Sequence, residues 1–313
     1  MKIVFFGTPD FAVASLSAIM ASSHQVAAVV TVPDRQAGRG QHTTASAVKQ
    51  YAGAHGLPVM QPERLRDATF LAKLEAIGAD AFVVVAFRML PKEVWAMPPR
   101  GTFNLHASLL PQYRGAAPIN RAIMNGETQT GVTTFLLNER IDEGSILLQR
   151  ATPIAATDNA GILHDRLAEM GRNLVVETLD ALQRGTIAPQ PQGPQTDLKP
   201  APKIFKDDCR TPWTATTKVV IDHIRGLAPY PAATMRLEAE DGRVADFKLF
   251  EATPAEGPET APGTVVSDGK TELKIATADS FVSILSLQMS GKKRMTTAEF
   301  LRGFDIKLWK TAK

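Results

Sequence analysis

Short apolar runs alternate with stretches of helical spacing through the first half of the chain. Residues 3–6, 26–32, 81–86 and 102–105 are continuous apolar or β-branched runs and predict strands. Between them, residues 11–20, 45–55 and 63–76 place apolar side chains at the helical period. A strand that is apolar at consecutive positions has no face to offer water. Such strands predict a parallel sheet covered on both sides by helices, a doubly wound α/β arrangement.

Residues 130–137 and 146–153 predict two more strands around a turn that holds Asp142. A long amphipathic helix follows over 160–184, apolar at Ile162, Leu163, Leu167, Met170, Leu174, Val175, Leu179 and Leu182, and closed by Gly185. Pro189, Pro191, Pro194, Pro200 and Pro202 then predict an extended connector. Beyond it the pattern changes. A helix over 215–227 precedes short strand runs at 234–239, 244–250, 263–266, 273–276 and 281–287, with turns at Asp241-Gly242 and Asp268-Gly269. Five short strands predict a small barrel, a shape often used to hold oligonucleotides. The expected organisation is therefore an α/β domain with a doubly wound, largely parallel sheet over 1–187, a proline-rich connector over 188–205, and a smaller C-terminal β-barrel (OB-like) domain over 206–313.

Composition narrows this picture. A chain of 313 residues, 44% of them hydrophobic, has the size for two domains with their own cores. Cys209 is the only cysteine, which excludes an intrachain disulfide and a CxxC zinc site; no metal is expected. The longest apolar run, residues 81–87, is far short of a membrane span, and the run that starts at Ile3 is too short for a signal-peptide core. A soluble, cytoplasmic, monomeric protein without a membrane partner is expected. The net charge of +3 does not by itself identify a nucleic-acid binder. The basic residues of the last stretch (Lys292, Lys293, Arg294, Arg302, Lys307, Lys310 and Lys313) read equally as a phosphate-facing patch or a solvated tail. The first strand–helix turn, Gly7-Thr8-Pro9-Asp10, has one glycine where a dinucleotide fingerprint needs three, which argues against a nicotinamide or flavin enzyme.

The informative stretch for chemistry runs from Gly101 to Gly115. Asn104 and His106 stand two apart at the end of a predicted strand, so their side chains leave the same face. The carboxyl ends of strands in an open α/β sheet border the ligand crevice. Either residue alone reads equally well as a partner for loop backbone. The pair together, followed by a turn at Pro111 and by Arg114-Gly115, points to function.

The string Asn104-Leu105-His106-Ala107-Ser108-Leu109-Leu110-Pro111 matches the Asn-x-His-x-Ser-Leu-Leu-Pro signature of the folate-dependent formyltransferases, and the chain resembles that family over nearly its whole length. Further anchors are Phe5 to Phe11, Pro33 to Gly40, Arg114 to Ile119, Ala261 to Thr264 and Gly291 to Met295. The Asp34 to Gly40 loop and the terminal anchors resemble the branch that acts on methionyl-tRNA. The resemblance implies transfer of the formyl group of 10-formyltetrahydrofolate to methionyl-initiator-tRNA, for translation initiation. It implies a catalytic trio of Asn104, His106 and Asp142; by spacing alone Asp142 is a turn residue. It also implies a folate pocket that includes Ser108, Leu109, Leu110 and Pro111, with Phe87 and Leu90 nearby. Chemically, the Asn104 amide and a His106 N–H are two donors for the oxygen that gains charge when an amine adds to a formyl carbonyl. Asp142 would orient His106 and accept the proton the amine sheds. The folate carries the one-carbon unit, so no metal is needed.

Arg35 and Arg39, solvated loop residues by composition, become tRNA contacts by the resemblance, and Lys203, Lys206, Lys292, Lys293 and Arg294 become candidates for its phosphates. The chain departs from the family at Ser145, where an Asp is frequent, at Phe87-Arg88, where a Tyr-Gly pair is common, and at Gln41-His42, where lysines are frequent. Two alternatives stay open at this stage: an amino-sugar-nucleotide formyltransferase, and a non-catalytic RNA-binding protein on the same scaffold.

Overall fold

The computed structural model describes residues 1–37, 42–193 and 196–313, and of residues 35–37, 42 and 43 it describes the backbone. The chain packs as two compact units. The first comprises Met1–Gly115, Thr130–Thr152 and His164–Pro200; the second comprises Ala116–Gln129, Pro153–Leu163 and Ala201–Lys313.

The first unit is built on a sheet of β1 (Lys2–Gly7), β2 (Gln25–Val30), β5 (Val59–Met60), β6 (Ala81–Val85), β7 (Thr102–His106), β8 (Gln129–Leu136) and β9 (Ile146–Pro153), in the order β5-β2-β1-β6-β7-β8-β9. The helices are α1 (Asp10–Met20), α2 (Ala47–Ala54), α3 (Ala68–Ala76), the short α4 (Lys92–Trp95) and most of α6 (Ala160–Arg184). Strands β5, β2, β1, β6 and β7 are parallel, and β8 runs antiparallel to β7. As the apolar runs predict, every residue of β6 is buried, and Phe5, Phe6, Phe82 and Phe103 are among the largest fully buried side chains. Val4, Phe6, Phe82 and Val84 pack with Leu65, Phe70, Leu74, Leu90 and Val94 into one core. The chain starts in mid-sheet, moves outward through β2 and β5, then returns to β6 and β7. That reversal between β1 and β6 places a crevice outside the carboxyl ends of the strands.

Two features differ from the sequence expectation. Helix α3 starts at Ala68, because Asp67 accepts a hydrogen bond from the Phe70 N–H and fixes the N-cap there, downstream of the expected residue 63. A small antiparallel ribbon, β3 (Arg35–Ala37) and β4 (His42–Thr44), occupies the arginine loop. On α6, a Cβ at Gly171 would lie 2.6 Å from the Leu105 Cδ2, so a glycine lets the helix lie against β7.

The second unit holds α5 (Pro118–Met124) and α7 (Thr217–Leu227), which meet through a 2.8 Å bond from the Asn120 amide to the Gly226 carbonyl. Its sheet runs β12 (Val265–Ser267), β13 (Leu273–Ala276), β14 (Phe281–Met289), β11 (Val244–Ala255), β10 (Ala233–Ala239) and β16 (Trp309–Ala312), all neighbours antiparallel. A bridge between Thr264 and Thr311 brings the two ends together, so the sheet is nearly a closed barrel. Val220, Ile224 and Leu227 of α7 join Phe247, Leu249, Ile275, Val282, Leu287 and Trp309 in its core. The stretch β15 (Met295–Thr296), α8 (Thr297–Leu301) and β16 is ordered secondary structure where a solvated tail was one of two expectations. Trp309 and Ala312 face inward, and Lys313 pairs with Glu238 at 2.6 Å.

Burial in this unit holds the imidazole of His223 below its ordinary value of 6.5, against a weaker opposing pull from the Cys209 carbonyl. The unfolded chain therefore takes up the proton first. The stability His223 contributes is complete above pH 6.5 and is lost as the pH falls below it toward the depressed folded value. Carboxylates held low by hydrogen bonds, such as Asp279 on Thr217, act only below their ordinary value of 3.8. The melting temperature is expected to fall as the pH drops from 6.5 toward 5, and His223→Gln to flatten that slope. Identical slopes for both proteins would show that His223 does not titrate between the folded and unfolded states.

Candidate active site

Strand β7 presents Asn104 and His106 on one side of the sheet. His106 is only 6% exposed, and its Nε2 lies 2.8 Å from the Tyr113 carbonyl oxygen. A carbonyl only accepts, so Nε2 carries the proton and donates it. The other nitrogen, Nδ1, looks toward Asp142, 4.0 Å from its Oδ2. That separation is too long for a hydrogen bond but sets the carboxylate beside the ring.

Among the described residues the Asn104 side chain has no hydrogen-bond partner, and its Oδ1 is sealed from solvent. The donor end of the same amide is likewise without a hydrogen-bond partner among the described residues. A buried acceptor without a partner costs on the order of 1–3 kcal/mol and calls for an explanation at a ligand site.

Asp142 reaches this place by an indirect route. Because β8 is antiparallel to β7, with Leu136 opposite Phe103, the chain leaves β8 about 10 Å along the strand from His106 and has to return. The return is tight. A Cβ at Gly144 would lie 1.6 Å from the Leu136 oxygen, and Asp142 takes the left-handed conformation with φ 54°. Its Oδ2 accepts a 2.9 Å hydrogen bond from the Gly115 N–H. Ala86, Tyr113 and Asp142, three of the five non-glycine residues with positive φ among the described residues, all lie in the loops around this site. Each costs on the order of 1–3 kcal/mol, and such strain collects at functional sites.

The loop after β7 is fixed by a chain of polar contacts. The Thr133 hydroxyl donates to the Ser108 carbonyl at 2.7 Å and accepts from the Leu110 N–H at 3.1 Å, while the Gln149 amide donates to the Leu110 carbonyl at 2.8 Å. The Ser108 hydroxyl donates to the Gln112 carbonyl at 2.6 Å. Ser108 and Leu110 are therefore sealed inside, and of the four signature residues Leu109 and Pro111 keep some surface. Leu90 likewise belongs to the core, whereas Phe87 is half-buried and edge-on to Phe6. Sequence reasoning passed over two apolar residues on these loops, Met89 at 73% and Ile141 at 64% exposure. An ion pair of 3.0 Å between Lys92 and Glu139 joins their loops. No periodic signal marks an exposed apolar residue inside a short loop.

Sequence reasoning also passed over Gln192. Its Nε2 donates to the carbonyls of Asp142 and Gly144, each at 2.8 Å, and its Oε1 accepts from Arg114 Nε at 3.1 Å and Nη2 at 2.7 Å.

The expected tRNA residues are placed less fully. Arg39 lies outside the described residues, and Arg35 is described only as backbone on β3, opposite Thr44. The base of that ribbon is braced by Asp34, which accepts from Lys49 at 2.5 Å and from Gln61 at 2.7 Å; these bonds hold its carboxyl below the ordinary 3.8. In the second unit Lys203, Lys206, Lys292 and Lys293 are exposed, and the Lys203 ammonium sits 5.6 Å from the Phe205 ring. Arg294 is engaged in its own barrel. Its guanidinium lies 4.5 Å over Phe250 and donates to the Ser286 hydroxyl at 2.8 Å. Among the described residues no group of three His, Cys, Asp or Glu could hold a metal ion, and no helix is long and apolar enough to cross a membrane.

Known proteins resemble this chain along nearly its whole length. The family model described as formyl transferase matches residues 1–179, and that of the formyl transferase C-terminal domain matches residues 203–305. Methionyl-tRNA formyltransferases of Bacteroides fragilis and Bacteroides thetaiotaomicron are each 51% identical over 310 residues, covering 98% of this chain and 96% of theirs. Their counterpart from Flavobacterium johnsoniae is 47% identical over 306 residues, covering 98% and 97%. Among solved structures, HypX from Aquifex aeolicus, in complex with tetrahydrofolic acid, matches with a TM-score of 0.65 at 22% identity over 98% of this chain, which spans 48% of HypX. The sugar 3N-formyl transferase WlaRD, studied in the presence of dTDP and 5-N-formyl-THF, matches with a TM-score of 0.65 at 20% identity, covering 94% and 99%. At these identities the two structures speak for the fold, and the sequence relatives speak for the family. Two family models that together span most of the sequence, and full-length relatives at about half identity, show that this chain belongs to the formyl transferase family.

Proposed function

We propose that this enzyme transfers the formyl group of 10-formyltetrahydrofolate to the amino group of methionyl-initiator-tRNA, with Asn104, His106 and Asp142 as its catalytic residues. The observation that carries the reading is the unpartnered Asn104 amide, on the same strand side as a His106 whose free nitrogen faces Asp142. The residues fit a folate donor. The unpartnered donor end of Asn104 suits a carbonyl oxygen, and the half-buried Phe87, Leu109 and Pro111 with the exposed Met89 suit a flat ring system. The folate supplies the formyl group as an amide-like carbonyl.

Each side chain then has a defined task. The Asn104 NH2 donates to the oxygen that gains charge as the amine adds. Because Nε2–H is committed to the Tyr113 carbonyl, the nitrogen of His106 that can meet the reacting atoms is Nδ1. With Nε2 protonated, Nδ1 carries a proton only when the ring is charged, so His106 is either a proton acceptor or a cationic donor there. The Asp142 carboxylate, 4.0 Å away, receives the proton shed by the amine, directly or through His106, and that proton is returned to N10 as the formyl C–N10 bond breaks and tetrahydrofolate leaves.

For the acceptor, the relatives at about half identity are named for methionyl-tRNA, whereas the sugar formyltransferase likeness is one of fold. In this reading residues 1–187 form the catalytic part and residues 188–205 a connector. The barrel of residues 206–313 then contacts tRNA. Arg35 and Arg39 of the ribbon, with Lys203, Lys206, Lys292 and Lys293, are its phosphate and acceptor-end contacts. Arg294 is a weaker candidate because its charge already faces Glu251 at 3.6 Å. One chain supplies the whole trio, so a monomer is expected to be active.

The reading is tested by formyl transfer to charged initiator tRNA. Asn104→Ala should lower kcat by roughly 10²–10³, the scale of removing one such donor, with little change in KM for folate. A kcat near that of the wild type would remove Asn104 from the chemistry. If the lysines face phosphates, KM for methionyl-tRNA should climb steeply between low and physiological salt. A flat response would place these side chains in solvent only.

A further inference from the structure

We infer that Gln192 is a positioning residue for Asp142, holding the carboxylate in place from the proline-rich connector. This rests on the reading of Asp142 given above. Gln192 is 8% exposed, and its amide has two N–H donors and an oxygen with two acceptor sites. All four are used. Both donors go to the Asp142 and Gly144 carbonyls at 2.8 Å, and the oxygen takes two N–H groups of Arg114 at 3.1 and 2.7 Å. A flipped amide would set its oxygen against two carbonyls and its NH2 against a guanidinium, so the observed orientation is the only one the surroundings allow.

The contacts close a ring that runs through the carboxylate. Arg114 is followed by Gly115, whose N–H holds Asp142 Oδ2 at 2.9 Å, and the Arg114 Nη1 lies 3.3 Å from Glu143 in the same loop. Asp142 is thus gripped twice, by its side chain from Gly115 and by its backbone from Gln192. The second grip matters because Asp142 sits at φ 54°, a conformation an aspartate leaves readily when nothing holds it. Anchoring of the connector itself does not depend on Gln192. Gln190 pairs in both directions with Ile146 at 2.8 Å, and the Lys199 carbonyl accepts from the Tyr113 N–H at 2.7 Å. What Gln192 adds is directed at the loop that presents the carboxylate.

Gln192→Met removes all four bonds at similar volume. It should lower kcat about 10–10²-fold, the range expected when a reacting group shifts by about an ångström, with KM values nearly unchanged. The discriminating measurement is the same substitution in an Asp142→Asn background, with formyl transfer followed in single turnovers and folding followed by melting temperature. If Gln192 acts through Asp142, Gln192→Met should cost less than about 2-fold there, because the group it positions is already gone. An equal fractional loss in both backgrounds, or a wild-type kcat for Gln192→Met, overturns the inference. Should Gln192→Met fail to fold, Arg114→Met, which leaves the two carbonyl bonds in place, is put through the same pair of backgrounds with the same criterion. Full activity of Asp142→Asn alone would instead defeat the catalytic reading of Asp142, a different failure with a different signature.

Discussion

One hydrogen bond sets the terms of the site: the 2.8 Å contact from His106 Nε2 to the carbonyl of Tyr113. It commits one imidazole nitrogen to the protein and thereby decides that the other, Nδ1, meets whatever lies in the crevice. The bond is dependable because its acceptor is itself held. Tyr113 takes the left-handed conformation at φ 61°, is nearly buried, and donates its own N–H to the Lys199 carbonyl at 2.7 Å. The tautomer of His106, a catalytic residue in the proposed function, is thus fixed by backbone at Lys199, some ninety residues downstream.

The rest of the site follows from placing side chains on rigid elements and paying for it locally in strain. Asn104 and His106 stand on β7, in the middle of a sheet whose neighbouring strands are buried on both faces. Asp142 stands on a loop, and the antiparallel direction of β8 forces that loop to double back. The loop is kept in place by a glycine where no Cβ fits, by Gly115 and by Gln192. Precision on the strand comes from the core. Precision on the loop needs a dedicated set of hydrogen bonds.

Much of this could be read from the residues, for identifiable reasons. Continuous apolar runs produced the parallel strands because burial on both faces leaves a direct mark on the sequence, and α6 was found at its observed limits because a long amphipathic period and a terminal glycine coincide. Asn104 and His106 were legible from their spacing of two. Other features left no such mark. Strand β16 exposes Lys310 and Thr311 and so resembles a solvated tail, and the two-residue β15 is too short to show a period. Gln192 lies among prolines, where only the extended form of the chain is predictable, and its partners are 50 and 78 residues away. Contacts of that kind come from tertiary structure, and local pattern does not encode them.

The most direct measurement of the central claim is the ring tautomer of His106, read from the nitrogen chemical shifts of ¹⁵N-histidine-labelled protein assigned with His106→Gln. The account predicts that Nε2 carries the ring proton and that Nδ1 is the nitrogen whose shift moves on addition of a folate ligand. A neutral ring protonated at Nδ1, with Nε2 responding to ligand, would mean that the Tyr113 carbonyl does not hold the imidazole and that the site works with the opposite nitrogen.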